Sequence, residues 1–371
     1  MSAMYSKFHQ AYENRHEYAR AYPGRGVLGY MCTYAPEEVA YAAGLLPVRI
    51  VGAHEPESVT APHIFNMFCA YCRDILAQGL TGKYDYLKGV VHVNCCEKIR
   101  NAYDSWLRHV PDTHGYYMFM PQYIWHKGAV AAFRQEVDGF RRSLEQDWGV
   151  SVGDSEMDRA IEVYNENRGL MRQVYKMMQE DHPRILGEEL MAMGLSNQVM
   201  DKVDHSRLIR EFLVQVEGRS GESAVRTMVI GQTDDLGLAQ LLDSMGARVV
   251  VDENCFGLRY FWDQVESGGD PLTAIATRYV ERAPCPVKDA QEPRRRTTFV
   301  TDLAKQYGVA LAIIIYPKFC DPHGYDSPVL TEALQGMGVE VLELEQDFTI
   351  PLGQFRTRIE ATLEMLQLEV S

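Results

Sequence analysis

Along the chain, short unbroken apolar runs alternate with longer stretches in which apolar residues recur every third or fourth position. The runs at residues 27–32, 46–51, 85–94, 116–120, 226–230, 248–251, 310–316 and 339–344 read as strands, because a short unbroken run suits a strand buried on both faces. Helical periodicity marks residues 5–22, 36–43, 62–80, 97–107, 236–245, 328–337 and 354–366. Strands alternating with helices of this length predict parallel sheets. Gly44, Gly246 and Gly338 each stop a helix just before a strand, where a left-handed residue caps the helix. The same punctuation occurs on both sides of residues 125–217, which show only long amphipathic helices. The expected fold is α/β, with two doubly wound parallel-sheet domains at 1–128 and 218–371 joined by a helical segment at 129–217.

A chain of 371 residues is long for one core, which agrees with two sheets. The formal charge of -14 argues against partners held by bulk positive charge, so neither nucleic acid nor an anionic membrane is expected. No apolar run reaches the length of a membrane span, and the first residues lack an apolar core with a small-residue cleavage site. A cytoplasmic protein is therefore expected. Thiols stay reduced there, which leaves the eight cysteines for ligation, catalysis or burial.

The stretch His92-Val93-Asn94-Cys95-Cys96-Glu97-Lys98-Ile99-Arg100 ends a predicted strand and opens a helix. It brings two adjacent thiols to the carboxyl edge of a sheet, where open α/β sheets bind ligands. Cys32, Cys255 and Cys320 follow apolar strands in the same way, and Cys285 lies between Pro284 and Pro286. Cys69 and Cys72 share one face of the predicted helix at 62–80. A structural zinc site prefers two short-spaced pairs, and only this one has that spacing. A nucleophilic thiolate needs a base, for which His92 and His323 are candidates, but it leaves five similarly placed cysteines unexplained. Thiolates scattered along the chain suit an iron-sulfur cluster. Plain burial as small hydrophobes stays the alternative.

Other signals are weaker. Residues 79–84 lack the spacing of a phosphate-binding loop, and residues 230–233 run from strand to helix without the glycine-rich dinucleotide pattern, so no ATP site is expected. His9, His16 and His54 show no partner pattern. Glu37 and Glu97, close behind Cys32 and Cys96, suit helix N-termini and are also candidate proton donors.

Three motifs carry a family resemblance. Cys32-Thr33-Tyr34-Ala35-Pro36-Glu37-Glu38 with Ala42-Ala43-Gly44, Cys96-Glu97-Lys98-Ile99-Arg100, and Lys318-Phe319-Cys320-Asp321-Pro322-His323 resemble elements of the 2-hydroxyacyl-CoA dehydratase and benzoyl-CoA reductase family. The resemblance extends to residues 355–360 and spans nearly the whole chain. It implies Rossmann-like domains around a 4Fe-4S cluster held by Cys32, Cys96 and Cys320, with one iron left open. Cys69 followed by Arg73, Asp252-Glu253-Asn254-Cys255-Phe256-Gly257 and Ala283-Pro284-Cys285-Pro286 resemble a branch with a sulfide-bridged double cubane, 8Fe-9S. That adds Cys69, Cys255 and Cys285 as ligands. Cys72 and Cys95 depart from the family pattern, and each stands near a ligand it could replace.

By the same resemblance the chain is expected to be the smaller catalytic subunit of an ATP-dependent benzoyl-CoA reductase of anaerobic aromatic degradation. Such a subunit passes single electrons to an aryl-CoA thioester, yielding a cyclic dienoyl-CoA. The partners implied are a related second catalytic subunit, making a heterodimer, and ATP-hydrolysing iron-sulfur activator subunits, completing a heterotetramer. A low-potential donor such as ferredoxin feeds the activator. A subunit of a 2-hydroxyacyl-CoA dehydratase is the first alternative. A non-catalytic electron-transfer subunit, whose partner alone binds the thioester, is the second. Arg294-Arg295-Arg296 reads as a solvated cluster, with a contact to coenzyme A phosphates as the sharper alternative.

Overall fold

The computed structural model describes residues 3–54, 58–289, 294–348 and 350–370 of the chain. Its first sheet holds β1 (Gly26–Tyr30), β2 (Leu45–Arg49), β3 (Leu87–Val93) and β4 (His114–Met118). The second holds β5 (Val225–Gly231), β6 (Ala247–Asn254), β7 (Leu311–Pro317) and β8 (Glu340–Gln346). Every pairing is parallel, and the orders are β2-β1-β3-β4 and β6-β5-β7-β8. Both sheets therefore follow one winding scheme, which makes the molecule a pair of Rossmann-like α/β domains. In each, the winding reverses between the first and third strand, which opens a crevice at their carboxyl ends.

The buried runs form strands because alternate side chains must find apolar cover on opposite faces. Val27, Leu87 and Val90 enter one core, while Leu28, Tyr30, Val91 and Val93 enter another. The former core continues into the second sheet through Val229, Ile230, Ile313 and Ile314, so a single apolar body links the two sheets. Gly44, Gly246 and Gly338 take φ values of 79°, 75° and 83°, as helix stops require.

Several element boundaries differ from the sequence expectation. Residues 62–69 are not helical: the helix is Ala70–Leu80, and Cys69 is its N-cap. The helix expected at 328–337 begins earlier, as Asp321–Gln335, with Pro322 in its first turn and Pro328 inside it. The lead-in is two helices, Ala3–Glu13 and Arg15–Arg20. The middle stretch contains Ala129–Trp148, Asp154–Met177, Gly187–Asn197 and Lys202–Val216. Ala129–Trp148 packs against Pro271–Glu281, Asp154–Met177 against Glu37–Ala42, and Gly187–Asn197 against both Ala3–Glu13 and Leu236–Ser244.

Candidate metal centre

The carboxyl ends of both sheets face one cavity of about 620 Å³, its opening to solvent included. Cys32, just beyond β1, and Cys95 and Cys96, just beyond β3, line it from the first domain together with Cys69. Cys255 beyond β6, Cys285 in the loop after Pro271–Glu281, and Cys320 beyond β7 line it from the second. Cys72 stands behind the wall, its sulfur 3.2 Å from that of Cys69. All six cysteines singled out from the sequence thus meet, and Cys95 joins them. A wider groove of about 1110 Å³, lined by Asp263, Glu266, Asp270 and Glu281 among others, contains no thiol.

Local structure explains the convergence. Cys69, Cys96 and Cys320 are each the N-cap of a helix, so first-turn backbone N–H groups, which have no partner within the helix, and the positive end of a helix dipole lie beside their sulfurs. Burial nevertheless pushes Cys96 up to about 11, and Cys320 well above the usual thiol range, with nearby Cys69 and Cys96 adding to it. The Cys95 thiol is pushed up by its hydrogen bond to Cys32, by burial, and by the proximity of Cys32, Cys96 and Cys285. The thiols therefore form two neighbouring groups, Cys69 with Cys320 and Cys32 with Cys95 and Cys285, with Cys96 close to both. Cys255 lies under Arg49.

The cations at this cavity were not foreseen. Arg49 is buried and donates to the Cys255 carbonyl at 2.7 Å, to its Sγ at 3.3 Å and to Gln198 Oε1 at 2.8 Å. Arg259 is also buried. It donates to the Gly231 carbonyl at 2.5 Å and pairs with Glu253 at 3.1 Å. Among the described residues, Arg259 Nη1 and Gln232 Nε2 are buried donors without a partner, and both residues line the cavity. Lys288 Nζ caps the Asn94 carbonyl at 2.8 Å. His323 Nδ1 lies 3.2 Å from Cys320 Sγ. Nothing in the sequence pattern marked Arg49, whose partners Gln198 and Cys255 are 149 and 206 residues away, or Arg259.

This donor set fits a sulfur-ligated cluster. It offers several soft thiolate ligands, two cations to offset their charge, and orphaned N–H groups for bridging sulfur. Coordination would hold the thiols deprotonated despite their burial. Among the described residues no three His, Cys, Asp or Glu side chains are arranged to hold a single metal ion. In a polynuclear cluster the ligands bind different irons and need not converge on one point.

Other expectations are corrected. His92 is fully buried between Tyr103 and Tyr117, with ring centroids at 5.3 Å and 5.7 Å, and does not line the cavity, so it is no base for these thiols. Burial, with Arg259 and Arg296 nearby, pushes His323 down to about 3, which makes it a weak base. Arg294-Arg295-Arg296 is not a solvated cluster. Arg296 is buried and pairs with Glu253 at 2.7 Å and Asp326 at 2.6 Å, and Arg294 also pairs with Asp326. Arg295 alone of the three reaches outward, over the Trp125 ring at 4.9 Å. The two carboxylates, buried behind Cys255 and Cys320, require these cations. His54 has a partner after all, Asp234 at 3.2 Å. His9 lies 3.8 Å from Glu13, and His16 Nδ1 lies 3.1 Å from the Tyr86 hydroxyl. Glu37 is buried against Tyr260 at 2.9 Å and Lys202 at 3.9 Å. Glu97 is exposed and pairs with Arg100 at 3.1 Å. Neither glutamate lines the cavity.

Two doubly wound domains facing each other across a cysteine-lined cavity define the class of protein. The chain belongs to the family described as 2-hydroxyglutaryl-CoA dehydratase, D-component, whose model matches residues 32–366. It is 24% identical over 325 residues to a benzoyl-CoA reductase subunit of Thauera aromatica, covering 85% of this chain and 84% of the relative. It is 23% identical over 350 residues to the (R)-phenyllactyl-CoA dehydratase beta subunit of Clostridium sporogenes, covering 92% of each. It is 26% identical over 360 residues to the lactoyl-CoA dehydratase beta subunit of Anaerotignum propionicum, covering 94% of this chain and 93% of the relative. These relatives are subunits of a reductase and of dehydratases. Among the described residues no helix is long and apolar enough to cross a membrane.

Proposed function

We propose that the chain is the iron-sulfur catalytic subunit of an ATP-dependent benzoyl-CoA reductase, acting on an aryl-CoA thioester in the cytoplasm. The observation that carries it is the meeting of seven cysteines at one largely buried cavity between the sheets. Cys32, Cys96 and Cys320 with Cys69, Cys255 and Cys285 are the proposed ligands, enough for a bridged pair of cubanes with three thiolates each. A cluster of this kind supplies electrons one at a time at low potential.

The residues of the chain then have definite tasks. The cysteines hold iron, and Arg49 and Arg259 offset the negative charge of thiolate and sulfide. Hydrogen bonds from Arg259, Gln232 and the helix N-termini to sulfur set the potential. Tyr71, Ile99 and Val287 wall the cavity against water. The proposed organisation is an N-terminal domain at 1–128, a helical bridge at 129–217 and a C-terminal domain at 218–371. The proposed partners are a related second subunit, ATP-hydrolysing iron-sulfur activator subunits and a ferredoxin-type donor. The second reading is a subunit of a 2-hydroxyacyl-CoA dehydratase with one 4Fe-4S cluster. It is favoured by the dehydratase beta subunits, whose alignments cover more of the chain than that of the reductase relative does.

The test is iron and acid-labile sulfide per chain after anaerobic purification, with Mössbauer and EPR spectra, repeated for Cys255→Ser and Cys285→Ser. About eight irons in the parent, falling to about four in the variants, is the outcome expected of two cubanes. About four irons, unchanged by either substitution, would move the assignment to the dehydratase. With the partner subunits present, net consumption of reductant per turnover separates the two reactions. Absence of iron would sink both.

A further inference from the structure

Cys320 is carried by a strained turn. Its backbone N–H donates to the Pro317 carbonyl at 3.0 Å, closing Pro317-Lys318-Phe319-Cys320. Phe319, the third residue of this turn, has φ of 64°. Turns with positive φ at that position normally place glycine there, because a Cβ crowds the backbone. A phenylalanine persists in such a conformation only where its surroundings over-determine it. Its own ring does not supply that restraint, being 36% exposed.

The restraint comes from the other domain. Lys98 Nζ donates to the Phe319 carbonyl at 2.6 Å and pairs with Asp321 at 3.1 Å. The Phe319–Cys320 peptide group is thus held at both ends, its N–H by Pro317 and its C=O by Lys98, so rotation about Phe319 would break both contacts. Lys98 lies in the first turn of the helix Glu97–His109, two residues beyond Cys96. A cation is disfavoured at that end of a helix dipole, which makes a purely local role a poor account of it. One side chain therefore ties the helix start bearing Cys96 to the turn bearing Cys320.

We propose that Lys98 is a positioning residue, a latch between the domains that fixes Cys320 relative to Cys96, an inference that rests on the cluster reading above. The test compares full-length parent, Lys98→Met, Lys98→Gln, Lys98→Arg, Phe319→Gly and the double variant Lys98→Met with Phe319→Gly, each reconstituted anaerobically. Iron release to a chelator is timed and the EPR spectrum of the reduced protein recorded. Loss of a hydrogen bond to a charged group predicts release roughly tenfold or more faster in Lys98→Met, with an altered spectrum. Lys98→Gln gives the same comparison if the methionine variant does not fold. Lys98→Arg keeps a charged donor and should behave like the parent. Phe319→Gly placed on Lys98→Met should restore slow release, because glycine adopts positive φ without a Cβ clash.

Unchanged release and spectrum on loss of Lys98, or no recovery with glycine at 319, overturns the latch. A parent chain that takes up no iron overturns the cluster reading instead. In that event alkylation of Cys320 in the metal-free protein, followed by mass spectrometry of its peptide, decides the latch. Faster labelling in Lys98→Met supports it, and equal labelling overturns it.

Discussion

Arg296 shows how far a residue's role can depart from its sequence context. Three consecutive arginines read as solvated charge because unpaired cations are rarely buried. Yet Arg296 is fully buried, and its partners Glu253 and Asp326 lie 43 and 30 residues away. Glu253 also pairs with Arg259 and Asp326 with Arg294, so these charges are tolerated in a low dielectric only as a group in which each stands beside an opposite one. Arg296→Met leaves Glu253 with Arg259 and Asp326 with Arg294 but removes charge-assisted hydrogen bonds to both, and should therefore cost about 1.5–3 kcal/mol of stability, measured by urea denaturation. Adding Glu253→Gln to that variant should deepen the loss, because buried Arg259 then loses its carboxylate partner. The cysteines behave differently: their positions after apolar runs were legible, but the cations that face them were not.

At the scale of elements, the strand ends govern the site. Buried parallel strands have a strong apolar signature, and the carboxyl-edge rule points to the residues that follow them. Helix starts were harder to place. Cys69 and Cys320 act as N-caps without a side-chain cap bond, so no Ser, Thr, Asp or Asn marked either start. Pro328 read as a beginning because proline favours first turns, whereas Pro322 occupies that place. Gly231 ends β5 with φ of 118°, and a Cβ there would stand 2.1 Å from the Ile315 carbonyl oxygen. Its own carbonyl receives Arg259 at 2.5 Å. Gly231→Ala should separate β5 from β7 at the cavity wall, costing about 2–5 kcal/mol through strain and overpacking. Thermal melts and iron content of the reconstituted variant should both fall.

For the whole molecule, the relation between the two domains matters most. His54, after β2, meets Asp234, after β5, at 3.2 Å. The Asp234 carboxylate, with Asp74 and Asp235 nearby, raises His54 from 6.5 to about 10 against the effect of burial. Burial pushes Asp234 up, but His54 and Arg49 hold it below the usual carboxylate range. A group whose pKa rises on folding stabilises fully below its unfolded value and loses that contribution as pH climbs through the folded one. The clasp should therefore be intact below pH 6.5 and vanish as pH passes about 10. Melting temperatures of parent and Asp234→Asn, compared across this range, should differ most at the acid end and converge at the alkaline end. A constant gap would remove His54 titration from the account.

Read as a line of residues, the chain already contains its α/β class, its strands and six of the seven cysteines that line the cavity. All of these depend on local periodicity and on what stands next to a strand end, which neighbouring residues encode. The convergence of Cys95 with those six, the cations Arg49 and Arg259, the buried Glu253–Arg296–Asp326 group and the contacts of Lys98 and His54 belong to the folded molecule. Arg49 and Cys255, Glu253 and Arg296, and Lys98 and Phe319 are separated by 206, 43 and 221 residues, and the buried charges are tolerated only where packing excludes water and supplies an opposite charge. No local pattern specifies such an encounter. It follows from two similarly wound sheets turning their carboxyl edges toward each other.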